Sequence, residues 1–204
     1  MRPLSRGEQE RQRKRARAGR TSRARPSARV AVPRVGFGYD VHRLVPGRRL
    51  RLCGVDVPSP VGPLAHSDGD CALHALMDAI LGACGLPDIG QLFPNTDARF
   101  AGADSRRLLA EVVERARRAG YRVSSVDVFL LVERPRLSPH LAAMRAVLAG
   151  CLRVSPDAVG LQATSGEGLG FVGRGEGLAA WAVAVMTADE AHPRSHRTKK
   201  GIGT

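Results

Sequence analysis

The sequence pairs a carboxylate with an imidazole at Asp40 and His42, and places a second imidazole at His74. Side chains at positions i and i+2 of an extended segment point to the same face. Asp40 and His42 can therefore converge on one point, which an imidazole on a following helix reaches from the other side. Three such ligands leave a fourth position open, as in catalytic zinc sites. A histidine that is surface-exposed or satisfied in the core is the alternative, because a lone Asp-x-His pair is common.

A second cluster, His-Ser-Asp-Gly-Asp from His66 to Asp70, lies immediately before the segment that carries His74. Free backbone N–H groups at a helix start, together with the Ser67 hydroxyl and the His66 imidazole, form an anion site suited to phosphate. A plain helix-capping sequence is the alternative. Asp70 and His74 are four residues apart, so the spacing also favours Asp70 as the carboxylate that orients this imidazole.

The third cluster is the glycine-rich run ATSGEGLGFVGRGEG. Its formal G-x-G-x-x-G glycines are Gly168, Gly170 and Gly173. Dinucleotide binding is disfavoured, because no βαβ unit with an acidic residue about 20 positions on is discernible. The polar side chains of the run are Thr164, Ser165, Glu167 and Arg174. A flexible loop of this kind can hold phosphates and, through Glu167, a hard cation such as Mg²⁺; a wide turn between strands is the alternative.

Alternating strands and helices surround the three clusters. Predicted strands cover RVGFGYDVH, YRVSSVDVFLLVE and VGLQATS, and RRLRLCGVDVP is predicted to be a strand or a hairpin. The segment GLAAWAVAVMTA fits a buried helix or a buried strand, and its alternating Trp181, Val183 and Val185 favour the strand. Predicted helices cover DGDCALHALMDAILGAC with Ser67 or Asp68 as its N-cap, a segment from about Ser105 to Ala119 that ends at Gly120, and HLAAMRAVLAGCL. This alternation predicts an α/β (α+β-like) fold whose sheet is covered by helices on one face.

Two connections bear on the site. Pro58 and Pro60 are expected to end the hairpin. The segment LPDIGQLFPNTDARFAGAD between the first two helices has no regular periodicity. It is longer than a connection in a compact domain usually needs, which favours a functional loop.

The chain of 204 residues has a net charge of +13, which by itself suggests a nucleic-acid partner. Residues 1–34 hold twelve Arg and Lys against two Glu, and residues 191–204 hold four basic residues and no acidic one. The segment between them has a net charge of −1. We therefore predict a disordered basic extension over residues 1–33, one domain over residues 34–188 and a disordered basic tail over residues 189–204. Without interleaved aromatic residues, the tails do not predict specific nucleic-acid recognition.

Cysteine spacing and hydropathy bear on the compartment. Cys53, Cys71, Cys84 and Cys151 show no C-x-x-C pairing and lie in apolar stretches, which predicts reduced core thiols rather than disulfides. No apolar run approaches the roughly 20 residues that cross a bilayer, and no apolar stretch follows the N-terminal charges as in a signal peptide. A soluble cytoplasmic protein without a membrane partner is predicted.

Five segments together resemble one family along most of the predicted domain. They are GFGYDVHRL, GPLAHSDGDCALHALMDAILGACGLPDIGQLFPNTD, GADSRRLL, VDVFLLVERPRLSPH and ATSGEGLGFVGRGEGLAAWAVAVM. From about Arg34 to Met186 the chain is similar to the 2-C-methyl-D-erythritol 2,4-cyclodiphosphate synthases of the non-mevalonate isoprenoid pathway. The two basic tails have no counterpart in that family.

The resemblance implies a mixed β-sheet with helices on one face, in a homotrimer whose sheets face a central channel. It implies cyclisation of 4-diphosphocytidyl-2-C-methyl-D-erythritol 2-phosphate, by in-line attack of the 2-phosphate on the β-phosphate with release of CMP. It also implies Zn²⁺ at Asp40, His42 and His74, Mg²⁺ or Mn²⁺ bridging the diphosphate through Glu167, and a channel that accepts an isoprenoid diphosphate.

By the same resemblance, His66 and Ser165 stabilise the transition state. Substrate contacts at the metal and phosphate end would come from Asp40, Val41, His42, His66 and Ser67. Those at the methylerythritol end would come from Asp88, Ile89, Gly90, Phe93, Pro94, Asn95, Thr96 and Asp97. The cytosine pocket would comprise Val132, Glu133, Arg134, Pro135, Arg136, Leu137 and Ser138. The diphosphate would meet Thr164, Ser165, Gly166, Glu167, Phe171 and Arg174.

Two other functions stay open on the residues alone. A metal-dependent phosphodiesterase acting on nucleotide diphosphates would use the same metal ligands and phosphate loops. A polyanion-binding protein would act through the basic tails, with an affinity that falls steeply as salt rises.

Overall fold

The computed structural model describes residues 6–7 and 32–191. Its strands are β1 Arg34–Pro46, β2 Leu50–Leu52, β3 Val55–Val57, β4 Val61–Pro63, β5 Tyr121–Leu131, β6 Val159–Thr164 and β7 Gly177–Ala188. Its helices are α1 Cys71–Cys84, α2 Ile89–Leu92, α3 Ser105–Arg118, α4 Leu141–Leu152 and α5 Gly170–Gly173, with 3-10 turns at Ala98–Phe100 and Pro156–Ala158. The predicted basic extension and basic tail lie almost entirely outside the described residues. Among the helices described, none is both long and apolar enough to cross a membrane.

Within residues 32–191, five strands form a mixed sheet in the order β4-β1-β7-β5-β6. Neighbouring strands run antiparallel except β5 and β6, which are parallel and are joined through α4. β2 and β3 pair separately as the predicted hairpin. The α/β class, the hairpin and the mixed sheet are thereby confirmed.

α1 packs directly on β1 because two glycines leave room for it. A Cβ atom at Gly36 would lie 1.9 Å from the carbonyl oxygen of Ala79, and one at Gly38 would lie 1.9 Å from that of Ala75. No side chain fits between the helix and the strand at these two points. Twelve of the fourteen residues of α1 are buried, so the helix lies inside the core rather than on its surface.

The opposite side of the sheet carries no helix among the described residues. Its central apolar side chains are exposed, with Phe37 at 64%, Tyr39 at 45% and Val183 at 37%. Trp181 lies between them, with its ring 5.3 Å from Tyr39 and 6.1 Å from Phe129. We call this surface the open face, and define it by Phe37, Tyr39, Val41, Trp181 and Val183. The prediction that helices cover one face of the sheet is correct.

The N-cap of α1 is Asp70, so the predicted cap at Ser67 or Asp68 is wrong. Asp70 accepts a hydrogen bond from the backbone N–H of Leu73 and the helix begins at Cys71. Asp68 is used elsewhere, because its carboxylate binds the backbone N–H and hydroxyl of Ser105 at the start of α3. The predicted second helix is confirmed, with Asp104 as N-cap and Gly120 at φ +83° after its end.

Four short elements are absent from the sequence predictions. The predicted irregular loop after α1 contains α2 and the 3-10 turn at Ala98–Phe100, capped by Asp88 and Asp97. The glycine-rich run contains α5 instead of being an unbroken loop. The chain does not stay irregular after Pro60, since β4 pairs with the end of β1 as an edge strand. Elements of three or four residues are too short for hydrophobic periodicity to reveal them.

Candidate active site

Asp40, His42 and His74 meet at one point between β1 and α1. Asp40 Oδ2 lies 3.0 Å from His74 Nδ1 and 3.2 Å from His42 Nε2, and the two ring nitrogens are 3.1 Å apart. A tetrahedral ion with ligand bonds of about 2.0–2.1 Å needs donor atoms about 3.3 Å apart. The three atoms therefore form one triangular face of a coordination tetrahedron, and the predicted convergence is correct.

The sheet and the close helix contact together produce this convergence. β1 turns Asp40 and His42 toward α1, while Val41 points to the open face and is 43% exposed. His74 stands on α1 one turn before Met77, on the side that faces β1, and is 9% exposed. Since Gly38 lets α1 approach the strand, the imidazole of His74 reaches the Asp40 carboxylate directly.

Burial and the shared carboxylate shift the two imidazoles in opposite directions. Burial is the largest influence on His42 and lowers its pKa, although Asp40 acts the other way. Burial also lowers the pKa of His74, but the hydrogen bond and the charge of Asp40 outweigh it, so the net pKa is raised. A divalent cation placed among these three atoms would take the place of the hydrogens that they otherwise share.

The donor set fits a divalent metal ion. Two imidazole nitrogens and one carboxylate oxygen lie within 4.8 Å of one another, and one side of the group opens to a cleft. Nitrogen donors with one carboxylate are typical of catalytic zinc sites, in which the fourth position takes water or substrate. The arrangement can therefore present a Lewis acid to an oxygen atom bound in the cleft.

The second nitrogen of His74 contacts two hydroxyl groups. His74 Nε2 lies 3.1 Å from Ser105 Oγ and 3.2 Å from Ser67 Oγ. Ser67 was among the predicted site residues, whereas Ser105 was missed. The contact between Ser105 and His74 joins the first turn of α3 to α1 across 31 positions of sequence, so no local spacing indicates it.

Asp70 does not orient His74, contrary to the prediction from their spacing. Its carboxylate accepts the backbone N–H groups of Cys53 at 2.9 Å, Gly54 at 2.6 Å and Leu73 at 3.1 Å. The N-cap position turns this side chain away from the helix face that carries His74 and toward the hairpin. Burial raises the pKa of Asp70 to about 6, although the N–H donors act in the opposite direction.

A cleft of about 360 Å³ opens beside the metal ligands. Of the predicted residues it is lined by His42, His66, Ser67, His74, Ile89, Gly90, Phe93, Pro94 and Asn95. The apolar residues Met77, Phe100 and Leu108 complete its wall and were not predicted. The structure thus brings the second cluster of the sequence and the segment after α1 to the metal position.

Caps hold the segment after α1 against this cleft. Asp88 caps α2 and Asp97 caps the following 3-10 turn, while Thr96 lies between the two capped turns. Asp78 on α1, which was not predicted, accepts the backbone N–H of Ile89 at 2.9 Å. Burial raises the pKa of Asp78. The segment is therefore anchored to α1 at its start rather than being loose.

The predicted nucleotide and diphosphate residues form a second group of clefts. One cleft of about 280 Å³ lies between Val132–Ser138 and Ala163–Ser165, and a larger one of about 930 Å³ adds Arg134 and Arg174. Gly166 donates its backbone N–H to Glu133 Oε2 at 2.9 Å, which ties the two loops together. Ser165 donates its hydroxyl to Glu167 Oε1 at 2.7 Å, and Glu167 has φ +51°.

Two further predicted residues stand at the end of the glycine-rich run. Arg174 forms an ion pair with Glu176 at 2.8 Å, and both side chains are more than half exposed. Phe171 is 38% exposed, and its ring packs against Gly177, where a Cβ atom would lie 3.1 Å from Cδ2 of the ring. The run therefore combines backbone N–H groups, an acidic residue and an arginine on one exposed turn.

The two groups of clefts lie apart on the same chain. The register places Asp40 beside Ala180, Ala180 beside Leu130 and Leu130 beside Ala163, in one row across four strands. Three strand spacings amount to about 14 Å. The cleft at the metal ligands and the clefts at the glycine-rich run share no lining residue among the described residues. One chain therefore holds two separate groups of clefts.

Comparison with known proteins identifies the same span of chain. The family model of the YgbB family matches residues 33–187. The chain belongs to the YgbB family. The matched span contains every candidate site residue named above and leaves out all of the basic tail and all but the last residue of the basic extension. The resemblance stated from the sequence is thereby confirmed.

Curated relatives in the YgbB family match along nearly their whole length. The 2-C-methyl-D-erythritol 2,4-cyclodiphosphate synthase of Geobacter sulfurreducens is 53% identical over 153 residues, which is 75% of this chain and 98% of the relative. The synthase of the same name from Methylococcus capsulatus is 54% identical over 153 residues, with 75% and 97% covered.

Solved structures show the same YgbB fold. A 2C-methyl-D-erythritol-2,4-cyclodiphosphate synthase in a CDP-bound form is 44% identical, with a TM-score of 0.70 over 75% of this chain and 99% of that one. The bifunctional IspDF from Campylobacter jejuni is 37% identical, with a TM-score of 0.75 over 78% of this chain. The match covers 43% of that bifunctional protein.

Proposed function

We propose that this chain cyclises 4-diphosphocytidyl-2-C-methyl-D-erythritol 2-phosphate to 2-C-methyl-D-erythritol 2,4-cyclodiphosphate with release of CMP. The observation that carries this proposal is the triangle of Asp40, His42 and His74 at the mouth of the cleft, in a chain that spans nearly the full length of synthases with that name. The enzyme is a phosphorus-oxygen lyase.

The reaction forms one phosphorus-oxygen bond and breaks another. An oxygen of the 2-phosphate attacks the β-phosphorus in line, and the bond from that phosphorus to the bridging oxygen breaks, so CMP leaves with the bridging oxygen. Both reacting groups are anionic, so positioning and charge neutralisation dominate the barrier. A divalent ion at Asp40, His42 and His74, which we propose is Zn²⁺, supplies charge that polarises the β-phosphate.

The chain's own residues hold the two reacting groups in line. His66 and Ser67 line the cleft next to the metal ligands, where their side chains bind phosphate. The backbone N–H groups of Asp68, Gly69 and Asp70 are already hydrogen-bonded within the protein, so the phosphate depends on the side chains. The walls from Ile89 to Asp97, with Asp88 at their start, exclude water from the methylerythritol chain. His66 and Ser165 stabilise the charge that develops on the transferring phosphoryl group.

The cytidyl end occupies the second group of clefts. The loop from Val132 to Ser138 holds cytosine through its backbone, and the loop from Thr164 to Glu167 holds the diphosphate. Glu167 offers a carboxylate to Mg²⁺ or Mn²⁺, which are hard cations and prefer oxygen ligands. One solved relative is a synthase in a CDP-bound form, which supports a cytidyl substrate.

We propose a homotrimer whose sheets face a central channel. Two partial sites about 14 Å apart on one chain cannot hold one substrate in the same cleft, whereas the metal side of one subunit can meet the nucleotide side of its neighbour. The open face exposes several neighbouring apolar side chains, a feature typical of interaction surfaces, and becomes the channel wall. An isoprenoid diphosphate fits this channel, with its phosphates near Arg174.

The decisive experiment incubates the full chain and Zn²⁺ with the cytidyl substrate and follows the products by ³¹P NMR. A cyclic diphosphate together with CMP is the expected outcome. A linear product would instead indicate the competing metal-dependent phosphodiesterase. His42→Ala should lose bound metal and CMP release together; full turnover by a metal-free His42→Ala, His74→Ala double variant would overturn the proposal.

The basic tails are assigned a separate and minor role. We propose that residues 1–33 and 189–204 flank a synthase domain over residues 34–188 in a cytoplasmic protein, and the free cysteines are compatible with a reducing compartment. Nucleic acid is not the substrate. Removal of residues 1–33 should abolish any salt-sensitive polyanion binding and leave turnover intact. A loss of turnover in that variant would assign the extension to the enzyme.

A further inference from the structure

We infer that Asp68, acting through Ser105, fixes the tautomer of His74 and so directs the Nδ1 lone pair of that imidazole at the metal position. The inference rests on the metal-dependent function proposed above. It concerns two positioning residues, neither of which contacts the metal position.

Ser105 stands between the carboxylate and the imidazole. It is the first residue of α3 and is completely buried. Its hydroxyl Oγ lies 2.5 Å from Asp68 Oδ1 and 3.1 Å from His74 Nε2. The backbone N–H of Ser105 donates to the second carboxylate oxygen, Asp68 Oδ2, at 3.0 Å. Both oxygens of Asp68 are thus directed at one residue, which fixes where the hydroxyl of Ser105 points.

Counting the available hydrogens gives the tautomer. An ionised carboxylate can only accept, so the single hydroxyl hydrogen of Ser105 goes to Asp68. The oxygen of Ser105 is then left to accept, and the hydrogen in its contact with the imidazole comes from His74 Nε2. His74 therefore carries hydrogen on Nε2, so Nδ1, whose hydrogen bond to Asp40 Oδ2 a bound cation would replace, is the ring nitrogen left to bind the metal.

Ser67 could not fix this tautomer by itself. Its hydroxyl lies 3.2 Å from His74 Nε2 and also accepts the backbone N–H of Gly69 at 3.2 Å. A hydroxyl with no carboxylate attached can either donate to a ring nitrogen or accept from it. The hydroxyl of Ser105 differs, because Asp68 accepts its hydrogen and its oxygen can then only accept from His74.

The surroundings keep Asp68 in place. Arg51 on β2 approaches Asp68 Oδ2 with its Nη1 at 3.5 Å, and the backbone N–H of Asp70 lies 3.3 Å from Oδ1. Arg51 is itself held by Asp56 across the hairpin at 2.8 Å. The β2-β3 hairpin therefore supports the metal ligand His74 through successive contacts of Arg51, Asp68 and Ser105.

Asp68→Asn reverses the direction of the hydrogen bonds that run from residue 68 through Ser105 to His74, while it preserves the shape of the side chain. The best arrangement of the amide accepts the backbone N–H of Ser105 with its oxygen and donates to Ser105 Oγ with its NH₂ group. Ser105 must then donate its hydroxyl hydrogen to His74 Nε2, which moves the ring hydrogen to Nδ1. The same logic explains why an amide in place of the carboxylate behind a catalytic histidine produces the wrong tautomer.

Asp104→Asn is the matched control. Asp104 also faces Arg51, at 3.7 Å, and its loss removes one negative charge from the same ion network. Asn is as good an N-cap as Asp, so α3 keeps its start. Asp104 has no contact with the hydroxyl of Ser105 or with His74 among the contacts of the described residues.

The test measures metal affinity and ring protonation in the full chain. The protein competes with a chromogenic chelator for Zn²⁺ and, separately, for Co²⁺. Asp68→Asn should bind each ion about 10–100-fold more weakly than wild type, as is typical when a residue that supports a metal-bound histidine is replaced. Asp104→Asn should change the affinity by less than about threefold. Labelling with ¹⁵N-histidine, with His74 assigned by signals lost in His74→Gln, should show Nε2 protonated in the metal-free wild type and unprotonated in Asp68→Asn.

Each result decides the inference. Unchanged Nε2 protonation in Asp68→Asn, affinity within threefold of wild type, or an equal loss in Asp104→Asn would overturn it. If Asp68→Asn does not fold, Ser105→Ala carries the test, and undiminished affinity in that variant would overturn it as well. A zinc-loaded wild type that releases no CMP would contradict the proposed function without affecting either of these measurements.

Discussion

The carboxylate of Asp70 accepts the backbone N–H of Gly54 at 2.6 Å, which joins the start of α1 to the turn of the β2-β3 hairpin. The same carboxylate accepts from Cys53 and Leu73, and the residue is completely buried. Water does not reach this point, so the three N–H groups depend on Asp70 alone among the described contacts. This side chain therefore hydrogen-bonds the start of the helix that carries His74 to the hairpin.

Asp70→Asn should therefore destabilise the fold by about 3 kcal/mol, because the NH₂ group of the amide faces a buried N–H donor that loses its acceptor. Urea unfolding of the metal-free protein measures the change. Asp88→Asn is the control, since Asp88 is an exposed N-cap of α2 and Asn caps equally well. A loss below about 1 kcal/mol for Asp70→Asn would contradict the role assigned to this carboxylate.

Gly38→Ala should separate α1 from β1. A Cβ atom at Gly38 would lie 1.9 Å from the carbonyl oxygen of Ala75, and neither backbone can yield without moving the helix. We expect destabilisation of about 3 kcal/mol or more and weaker Zn²⁺ binding, because His74 moves away from Asp40. Gly82→Ala, on α1, is the control. The new Cβ atom would have no other atom within 4 Å, so we expect this substitution to stabilise the protein by about 0.5–1 kcal/mol. Equal effects of the two substitutions on unfolding would refute this packing argument.

Asp104 should give the protein a small stability increment that is lost in acid. The hydrogen bond from Arg106 lowers the pKa of Asp104 to about 2. Because the pKa is lower in the folded state, the increment is present above about pH 4 and disappears as the pH falls toward 2. The pair is partly exposed, so we expect less than about 1 kcal/mol. Urea unfolding should show that Arg106→Gln lowers the free energy of unfolding at pH 7 but not at pH 2. An equal loss at both pH values would contradict this role of the Arg106–Asp104 pair.

Tyr39→Glu should dissociate the proposed trimer. Tyr39 lies on the open face beside Trp181, whereas the metal ligands point to the other side of the sheet. A carboxylate buried at the interface without a partner is costly, so light scattering should detect monomers. CMP release should cease, whereas the affinity for Zn²⁺ should stay unchanged. Val32→Glu, at an 82% exposed position, is the control that should remain trimeric and active. A fully active trimeric Tyr39→Glu would rule out the channel arrangement.

The long elements and the pairing of Asp40 with His42 could be predicted because each rests on local spacing. The two-residue offset of Asp40 and His42 in an extended segment is enough to place both side chains on one face. The apolar periodicity of α3 and its flanking Asp104 and Gly120 define that helix in the sequence. His74 followed from its place on the next helix.

The remaining contacts could not be predicted because they join residues far apart in the chain. Ser105 meets His74 across 31 positions, and Glu133 meets Gly166 across 33. The error at Asp70 has a different cause, since the spacing to His74 is helical but the side chain of an N-cap turns back to the backbone. Spacing indicates which residues share a face, and tertiary packing decides which of them are used.

In the proposed homotrimer, the separation of the metal ligands from the nucleotide loops on one chain has a genetic consequence. A subunit inactivated at His74 keeps its nucleotide loops, and a subunit inactivated at Glu133 or Glu167 keeps its metal ligands. When two such alleles are expressed together and assemble at random, about a quarter of the subunit interfaces combine the two intact halves. Two individually dead copies of this chain should therefore complement each other within one mixed assembly.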